Sequence, residues 1–144
     1  MGKLLEMYGI EASIDTSATE TPSFAPLNDG FDNFAEALNE VVQNYSFLKD
    51  KGFGSSEVTG MAPTVTLTGR RVQGDAAQDF IFSKKYKTGD ERKVPLKIEW
   101  TEGAATKTLT VPITLTKLVE WGGATTDNSA ISVEMAFNGA PTVA

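Results

Sequence analysis

The sequence predicts a mainly β protein with one α-helix and long loops. Apolar and polar residues alternate over residues 94–100, 108–116 and 131–137, which is the pattern of strands that bury one face. Threonine is frequent in this region and suits a pleated, half-solvated surface. Only residues 76–87 combine helical spacing of apolar residues with a clear start signal. A single helix among strands is expected to pack on a sheet face or to cover an edge.

The N-terminal third carries weaker signals. Residues 8–15 are compatible with one short strand, whereas residues 16–33 are rich in Thr, Ser, Pro, Asn, Asp and Gly and are predicted to be loops. Residues 34–48 are ambiguous, because part of the segment fits a helix and the rest fits neither period. The part with helical spacing is Phe34, Ala35, Leu38, Val41 and Val42. Residues 52–56 are predicted to form a flexible loop.

Further strand features lie in the middle and at the end of the chain. Residues 64–68 alternate like the later strands. Pro95 and Pro112 are expected at edges or bulges, since proline has no N–H to donate to a ladder. The polar face of residues 108–121 loses its alternation halfway, which predicts a bulge or bend near Thr116–Leu118.

The predicted helix covers residues 76–87. Asp75 is a suitable N-cap, Asp79 lies early and lysines lie late, which is the favourable order for the helix dipole. Gly89 is expected to end the helix. One apolar stripe is expected to be buried, formed by Ala77, Phe80, Ile81 and the stem of Lys84.

Composition excludes several classes of enzyme. The 144 residues include neither Cys nor His, so a Ser-His-Asp triad, a Cys-His pair and thiolate metal sites are impossible. The acidic pairs Asp90-Glu91 and Asp29/Asp32 lie in glycine-containing turn sequence, where acidic residues are expected. No constellation supports an enzyme, and no catalytic, cofactor-binding or metal-binding residue is predicted. Trp100 and Trp121 are expected to fill a core or an interface.

The chain carries no recognisable address or anchor. Its apolar N-terminal run is short and interrupted by Glu6, unlike a secretion signal, and no stretch approaches the length of a membrane span. Synthesis and retention in a cytoplasm are therefore expected.

Charge is unevenly distributed along the chain. Residues 1–50 carry a net −7, residues 51–100 carry +3, and the whole chain carries −6. One interpretation is an ordinary solvated surface, and the other is complementary faces that meet between copies of the chain. The basic candidates for such inter-subunit contacts are Arg70, Arg71, Lys84, Lys85 and Lys87.

Taken in order, the motifs of residues 8–143 resemble the major tail tube protein of long, non-contractile-tailed bacteriophages. The segments that carry the resemblance are 39–48, 52–54, 58–60, 67–71, 74–83, 122–124 and 131–141. The resemblance implies a β-sandwich or barrel-like fold with one flanking helix, and one tail-tube domain over residues 1–144. It also implies that residues 40–48 form a strand.

In function, the resemblance implies a structural virion protein without catalytic activity. Six subunits would form a ring, and stacked rings would form a hollow tail tube through which genomic DNA passes without specific binding. The implied partners are further copies, the tape measure protein and the tail terminator and tip proteins, with assembly in the bacterial cytoplasm. An acidic chain suits a conduit that repels phosphate.

Two alternatives remain open at the level of sequence. The first is the inner tube of a contractile tail or of a phage-like bacteriocin. The second is a non-catalytic β-sandwich module that binds carbohydrate or peptide. Such a module favours exposed aromatic residues on one face, whereas most aromatic residues here occupy apolar-face positions.

Overall fold

The computed structural model describes residue 2, residues 4–17 and residues 23–144. Within these ranges it contains ten strands, one α-helix and three 3₁₀ turns, and no helix has the length and apolar character needed to cross a membrane. The elements are β1 (Glu11–Asp15), β2 (Phe24–Pro26), β3 (Phe31–Ala37), β4 (Val41–Tyr45), β5 (Ser55–Gly60), β6 (Thr64–Arg70), α1 (Ala76–Ser83), β7 (Lys93–Glu102), β8 (Ala105–Val119), β9 (Ala130–Phe137) and β10 (Thr142–Val143), with 3₁₀ turns at Met7–Gly9, Leu48–Asp50 and Gly89–Arg92.

Eight strands form one antiparallel sheet, in which seven follow the order β2-β1-β7-β8-β9-β6-β3 and the eighth, β10, pairs with β8. The short strand β10 pairs with residues Leu109 and Thr110 of β8, beside the part of β8 that β9 does not cover. Strands β4 and β5 form a separate two-stranded sheet. The main sheet therefore has β2 at one edge and β3 at the other.

The main sheet is strongly curled. Its edge strands β2 and β3 are joined by residues 27–30 alone. That connection spans at most about 18 Å from Pro26 to Phe31, whereas seven flat strands would separate the edges by about 29 Å. The two edges are thus drawn together, which gives the barrel-like fold that the resemblance implied.

The core lies inside the curl. Alternate residues of β1, β6, β7, β8 and β9 point inward and are buried, and α1 adds Ala77, Ile81 and Phe82. The strand interiors contribute Ala12, Ile14, Val65, Leu67, Leu96, Ile98, Val111, Ile113, Leu115, Ile131, Val133 and Met135. The period-2 pattern predicted from the sequence is confirmed for these strands, because one face of each is excluded from water.

The predicted irregularity in the longest strand is also confirmed. The β8–β9 register shifts between Thr116 and Val119, and Lys117 adopts a left-handed backbone with φ of 51°. The prediction for Pro95 and Pro112 is wrong, since both lie in interior strands and face each other across β7 and β8. The pairing of β1 with β7 stops at Leu96, and that of β9 with β8 stops at Ile113. The prolines are tolerated because each lies one residue beyond these limits, where no neighbouring strand needs its missing N–H.

The N-terminal predictions need three corrections. Strands β2 and β3 lie in or begin in the segment 16–33 that was expected to be loops; residues 18–22 of that segment lie outside the described residues. The helical spacing from Phe34 to Val42 is misleading, because β3 and β4 occupy this stretch, and β4 agrees with the strand implied by the resemblance. The expected loop 52–56 already contains the start of β5. The predicted strand within residues 8–15 is confirmed as β1.

The helix is capped as predicted but ends early. The Asp75 side chain accepts a hydrogen bond from the Gln78 backbone N–H at 3.1 Å. Helix α1 stops at Ser83 rather than residue 87, because the chain turns so that the Arg92 guanidinium can donate to the carbonyls of Lys85 and Lys87. Gly89 therefore begins a 3₁₀ turn instead of ending the helix.

The buried face of the helix differs from the predicted stripe. Ala77 and Ile81 are buried as expected, but Phe80 is only partly covered while Gln78 and Phe82 are buried. The Gln78 amide can occupy the interior because all its polar atoms have partners. It donates to the carbonyls of Asp29 and Arg70 and accepts from the N–H of Val72. The helix is thereby tied to the end of β6 and to the segment before β3.

Candidate interaction surface

The most distinctive surface is the hairpin of β4 and β5, residues 41–60, which we call the arm. Its two strands pair only with each other among the described strands. Nearly every residue of the arm is exposed, including large apolar side chains on both faces: Val41, Val42, Tyr45, Phe47, Leu48, Phe53 and Val58. A concentration of exposed large apolar side chains on one hairpin is typical of an interaction site.

Local contacts explain how the arm leaves the body. Asn39 adopts a left-handed backbone with φ of 51°, which asparagine tolerates better than most residues. Its side-chain N–H donates to the carbonyl of Ala62 at 2.9 Å, and the Ala62 N–H donates to the Leu38 carbonyl at 3.1 Å. These bonds join the two segments that connect the arm to β3 and β6, residues 38–40 and 61–63, which we call the neck.

The tip of the arm, residues 47–54, is also built by local interactions. The 3₁₀ turn Leu48–Asp50 is followed by Lys51 and Gly52, both at positive φ, and the Phe53 N–H donates to the Asp50 carbonyl. The rings of Tyr45 and Phe47 stack with centroids 5.9 Å apart. The tip thus presents Phe47, Leu48 and Phe53 to solvent, with Lys49 and Lys51 between Leu48 and Phe53 in the sequence.

A second surface is the edge strand β3. Pairing with β6 satisfies one side of β3, and no described strand pairs with the other side. Natural proteins rarely leave a seven-residue edge uncovered, because its free N–H and C=O groups can pair with another chain. Both the arm and this edge therefore offer contacts to other molecules.

Arg71, one of the basic residues predicted to contact other subunits, forms its ion pairs within its own chain. Its guanidinium bonds to Asp79 at 2.8 Å and to Glu120 at 3.0 Å, lies over the Phe82 ring at 5.2 Å, and is only 14% exposed. Burial on its own lowers the pKa of Arg71, but the hydrogen bonds and negative charges of Asp79 and Glu120 outweigh it and raise that pKa. Arg71 therefore joins β6 and its following segment to the helix and to the end of β8.

Lys85 belongs to the same network. Its ammonium lies 3.3 Å from a Glu120 carboxylate oxygen and over the ring of Trp121, which is mostly exposed. Burial would raise the pKa of Glu120, but the hydrogen bonds and charges of Arg71 and Lys85 lower it overall. Trp121 is not a core residue, while Trp100 packs partly against the core.

The other three basic candidates remain on the surface. Arg70 is exposed and donates to the Asn128 carbonyl at 2.9 Å, Lys84 lies over the Phe80 ring, and the Lys87 side chain is exposed. The inter-subunit role of all five basic residues stays a prediction. The sequence reasoning overlooked the apolar arm, and the available signal was the spacing of Val42, Tyr45 and Phe47, which fitted neither period.

The described residues contain no group of three or more acidic side chains placed to hold a metal ion. The geometry is that of a surface for contacts between macromolecules: an exposed apolar hairpin, an unpaired strand edge and a separate, well-packed body.

Neither a protein-family model nor a curated protein matches the sequence. The fold, in contrast, matches several solved structures. One is a chain in the tail of an empty GTA particle with C6 symmetry, with a TM-score of 0.75 and 11% identity over 98% of this chain and 99% of that chain. Another is a chain in the virion of a native gene transfer agent (GTA) particle, with a TM-score of 0.72 and 12% identity over 98% of this chain and 99% of that chain.

A third match is the SPP1 tail tube, with a TM-score of 0.68 and 12% identity over 97% of this chain and 78% of that chain. At these identities the likeness concerns the fold, and it extends over almost the whole of this chain. It confirms, at the level of fold, the resemblance drawn from the sequence motifs. The chain has the tail tube fold.

Proposed function

We propose that this chain is a structural, non-catalytic subunit of a phage-type tail tube, with residues 1–144 acting as one tail-tube domain. Six copies form a ring, rings stack into a hollow tube, and genomic DNA passes through it. The observation that carries the proposal is the arm, whose large apolar side chains are all at least 40% exposed. A second copy supplies the missing contacts.

The comparisons support this proposal through what the matched structures contain. One is the tail of a particle with C6 symmetry, another is a virion, and the third is a tail tube. The net charge of −6 agrees with a conduit that does not retain DNA. The proposal includes assembly in a bacterial cytoplasm, residence in the virion, and contact with a tape measure protein and with tail terminator and tip proteins.

The proposal is tested by assembly of the purified protein. Concentrated subunit is examined by negative-stain electron microscopy for rings and hollow tubes, and light scattering follows their growth. The test variant carries Leu48→Asp and Phe53→Asp on the arm. The control carries Tyr86→Asp, because Tyr86 is as exposed as Phe53, at 81%, but lies outside the arm.

All three proteins are expected to fold equally well, since the replaced side chains are exposed. The parent and the control are expected to form tubes, and the arm variant is expected to stay dispersed. Tubes formed by the arm variant at the parental concentration would contradict the role of the arm. A parent that forms neither rings nor tubes at any concentration would contradict the function itself.

A further inference from the structure

A groove lined by both apolar and polar residues lies between the segment that precedes β1 and the edge strand β3. Its volume is about 460 Å³, within the range of clefts that bind other molecules. Its lining includes the buried Leu27 and Leu67 and the partly buried Phe31 and Phe34. The exposed Tyr8, Asn28, Asp32 and Asn33 line it as well. Tyr8 is largely exposed and the two phenylalanines are partly so, which leaves apolar surface open in the free subunit.

The groove and the arm lie at opposite ends of the same strand. The groove contacts β3 at Phe31–Phe34, whereas the arm leaves β3 after Ala37. Leu48 follows Leu38 by ten residues, so an extended arm carries its tip on the order of 30 Å beyond the neck. A projection at one end and a recess at the other favour a head-to-tail contact, in which each subunit gives its projection to one neighbour and receives that of another.

The charges of the two surfaces are complementary. The tip carries Lys49 and Lys51 around one aspartate, and neither lysine forms an ion pair with the described residues. Asp32, which lines the groove, is exposed and likewise lacks an ion pair within the described ranges. The tip thus combines apolar residues with a net positive charge, and the groove combines apolar residues with the negative charge of Asp32, so the two surfaces are complementary in charge.

We propose that this groove receives the tip of the arm of a second copy of the chain. Phe47, Leu48 and Phe53 enter the groove, and the tip lysines approach Asp32. The proposal deepens and rests on the proposed function, because it names the surface that accepts the arm when subunits stack.

The experiment exploits the absence of cysteine from the chain. One batch of subunit carries Leu48→Cys, and a second, mass-tagged batch carries Asp32→Cys. The two are mixed with parent subunit, assembled and treated with a short bis-maleimide cross-linker. A matched mixture replaces Asp32→Cys by Glu36→Cys, which is exposed on the same strand four residues, or about 13 Å, closer to the arm. Each chain carries a single cysteine, so every cross-link joins two subunits.

The expected result is tubes in which the 48–32 mixture gives cross-linked heterodimers, at least several-fold more than the 48–36 mixture. Tubes without that cross-link, or with a stronger 48–36 cross-link, would overturn the groove as the receptor and leave the tube function standing. Failure of the parent to form any tube would overturn both. If the cysteine variants are not incorporated into parental tubes, a second experiment tests the contact by reversing the charges of Asp32 and the tip lysines.

The reversal uses Asp32→Lys alone and combined with Lys49→Glu and Lys51→Glu, with Glu36→Lys as the control. Asp32→Lys is expected to raise the concentration needed for assembly several-fold, the combination to restore it, and Glu36→Lys to change it little. A combined variant that assembles no better than Asp32→Lys would overturn the contact.

Discussion

Adjacent arginines provide the sharpest test of how the body is held together. Truncating Arg71 to alanine removes its bonds to Asp79 and Glu120 and its contact with the Phe82 ring. A broken, fully buried ion pair costs about 3–5 kcal/mol and an exposed one less than about 1 kcal/mol. The Glu120 side chain is only 18% exposed but keeps Lys85, and Asp79 is half exposed, so the expected cost is about 2–3 kcal/mol.

The assay is urea unfolding of the free subunit at neutral pH, with Arg70→Ala as the matched control. Arg70 is exposed and makes one side-chain bond, to a carbonyl, so its truncation is expected to cost about 0.5 kcal/mol or less. The same difference should appear as a lower melting temperature for Arg71→Ala. Equal losses for the two variants would refute the assignment of Arg71 to an internal network. In that case the structure would give no reason to prefer Arg70 over Arg71 as a residue that contacts another subunit.

Three other outcomes follow from the structure. The interactions that lower the pKa of Glu120 from its ordinary value of 4.5 stabilise the fold above that pH, and this stabilisation is lost as the pH falls through the lower folded pKa. Glu120→Gln should therefore flatten the acid limb of urea midpoints measured against pH. Gly69→Ala should cost about 1–3 kcal/mol or more in thermal melts, because a Cβ there overlaps the Gly30 carbonyl, whereas Gly60→Ala meets only ordinary contacts and should change little. Asn39→Ala should increase amide exchange across the neck and slow tube growth more than Asn39→Gly, since glycine keeps the left-handed backbone; equal exchange would argue against the neck as a fixed joint.

Sequence reasoning succeeded where one face of an element is buried. Residues in β7, β8 and β9 alternate because the interior of the curl accepts every second side chain. The same reasoning failed over residues 41–48, because the arm exposes both faces and no core imposes a period on it. Only the family resemblance, which implied a strand over residues 40–48, indicated a strand there.

Long-range partners were also invisible in the sequence. Arg71 and Glu120 are 49 positions apart, so nothing local distinguished Arg71 from its exposed neighbour Arg70. The burial of Gln78 in place of Phe80 depends on carbonyls supplied by the ends of other segments. Tertiary contacts determine which helix residues are buried, and here they override the spacing of apolar residues along the helix.

The isolation of the arm has a kinetic consequence. A two-stranded hairpin on its own is marginally stable in water, and fixing each of its residues costs about 1–2 kcal/mol of conformational entropy. If the chain assembles as proposed, two free subunits that meet offset this ordering cost with a single docked tip. A subunit that joins an existing tube end would also gain lateral neighbours, so the proposed assembly predicts that elongation is faster than nucleation of new tubes. Free subunits would then accumulate until a template is present, and the number of templates would set the number of tubes.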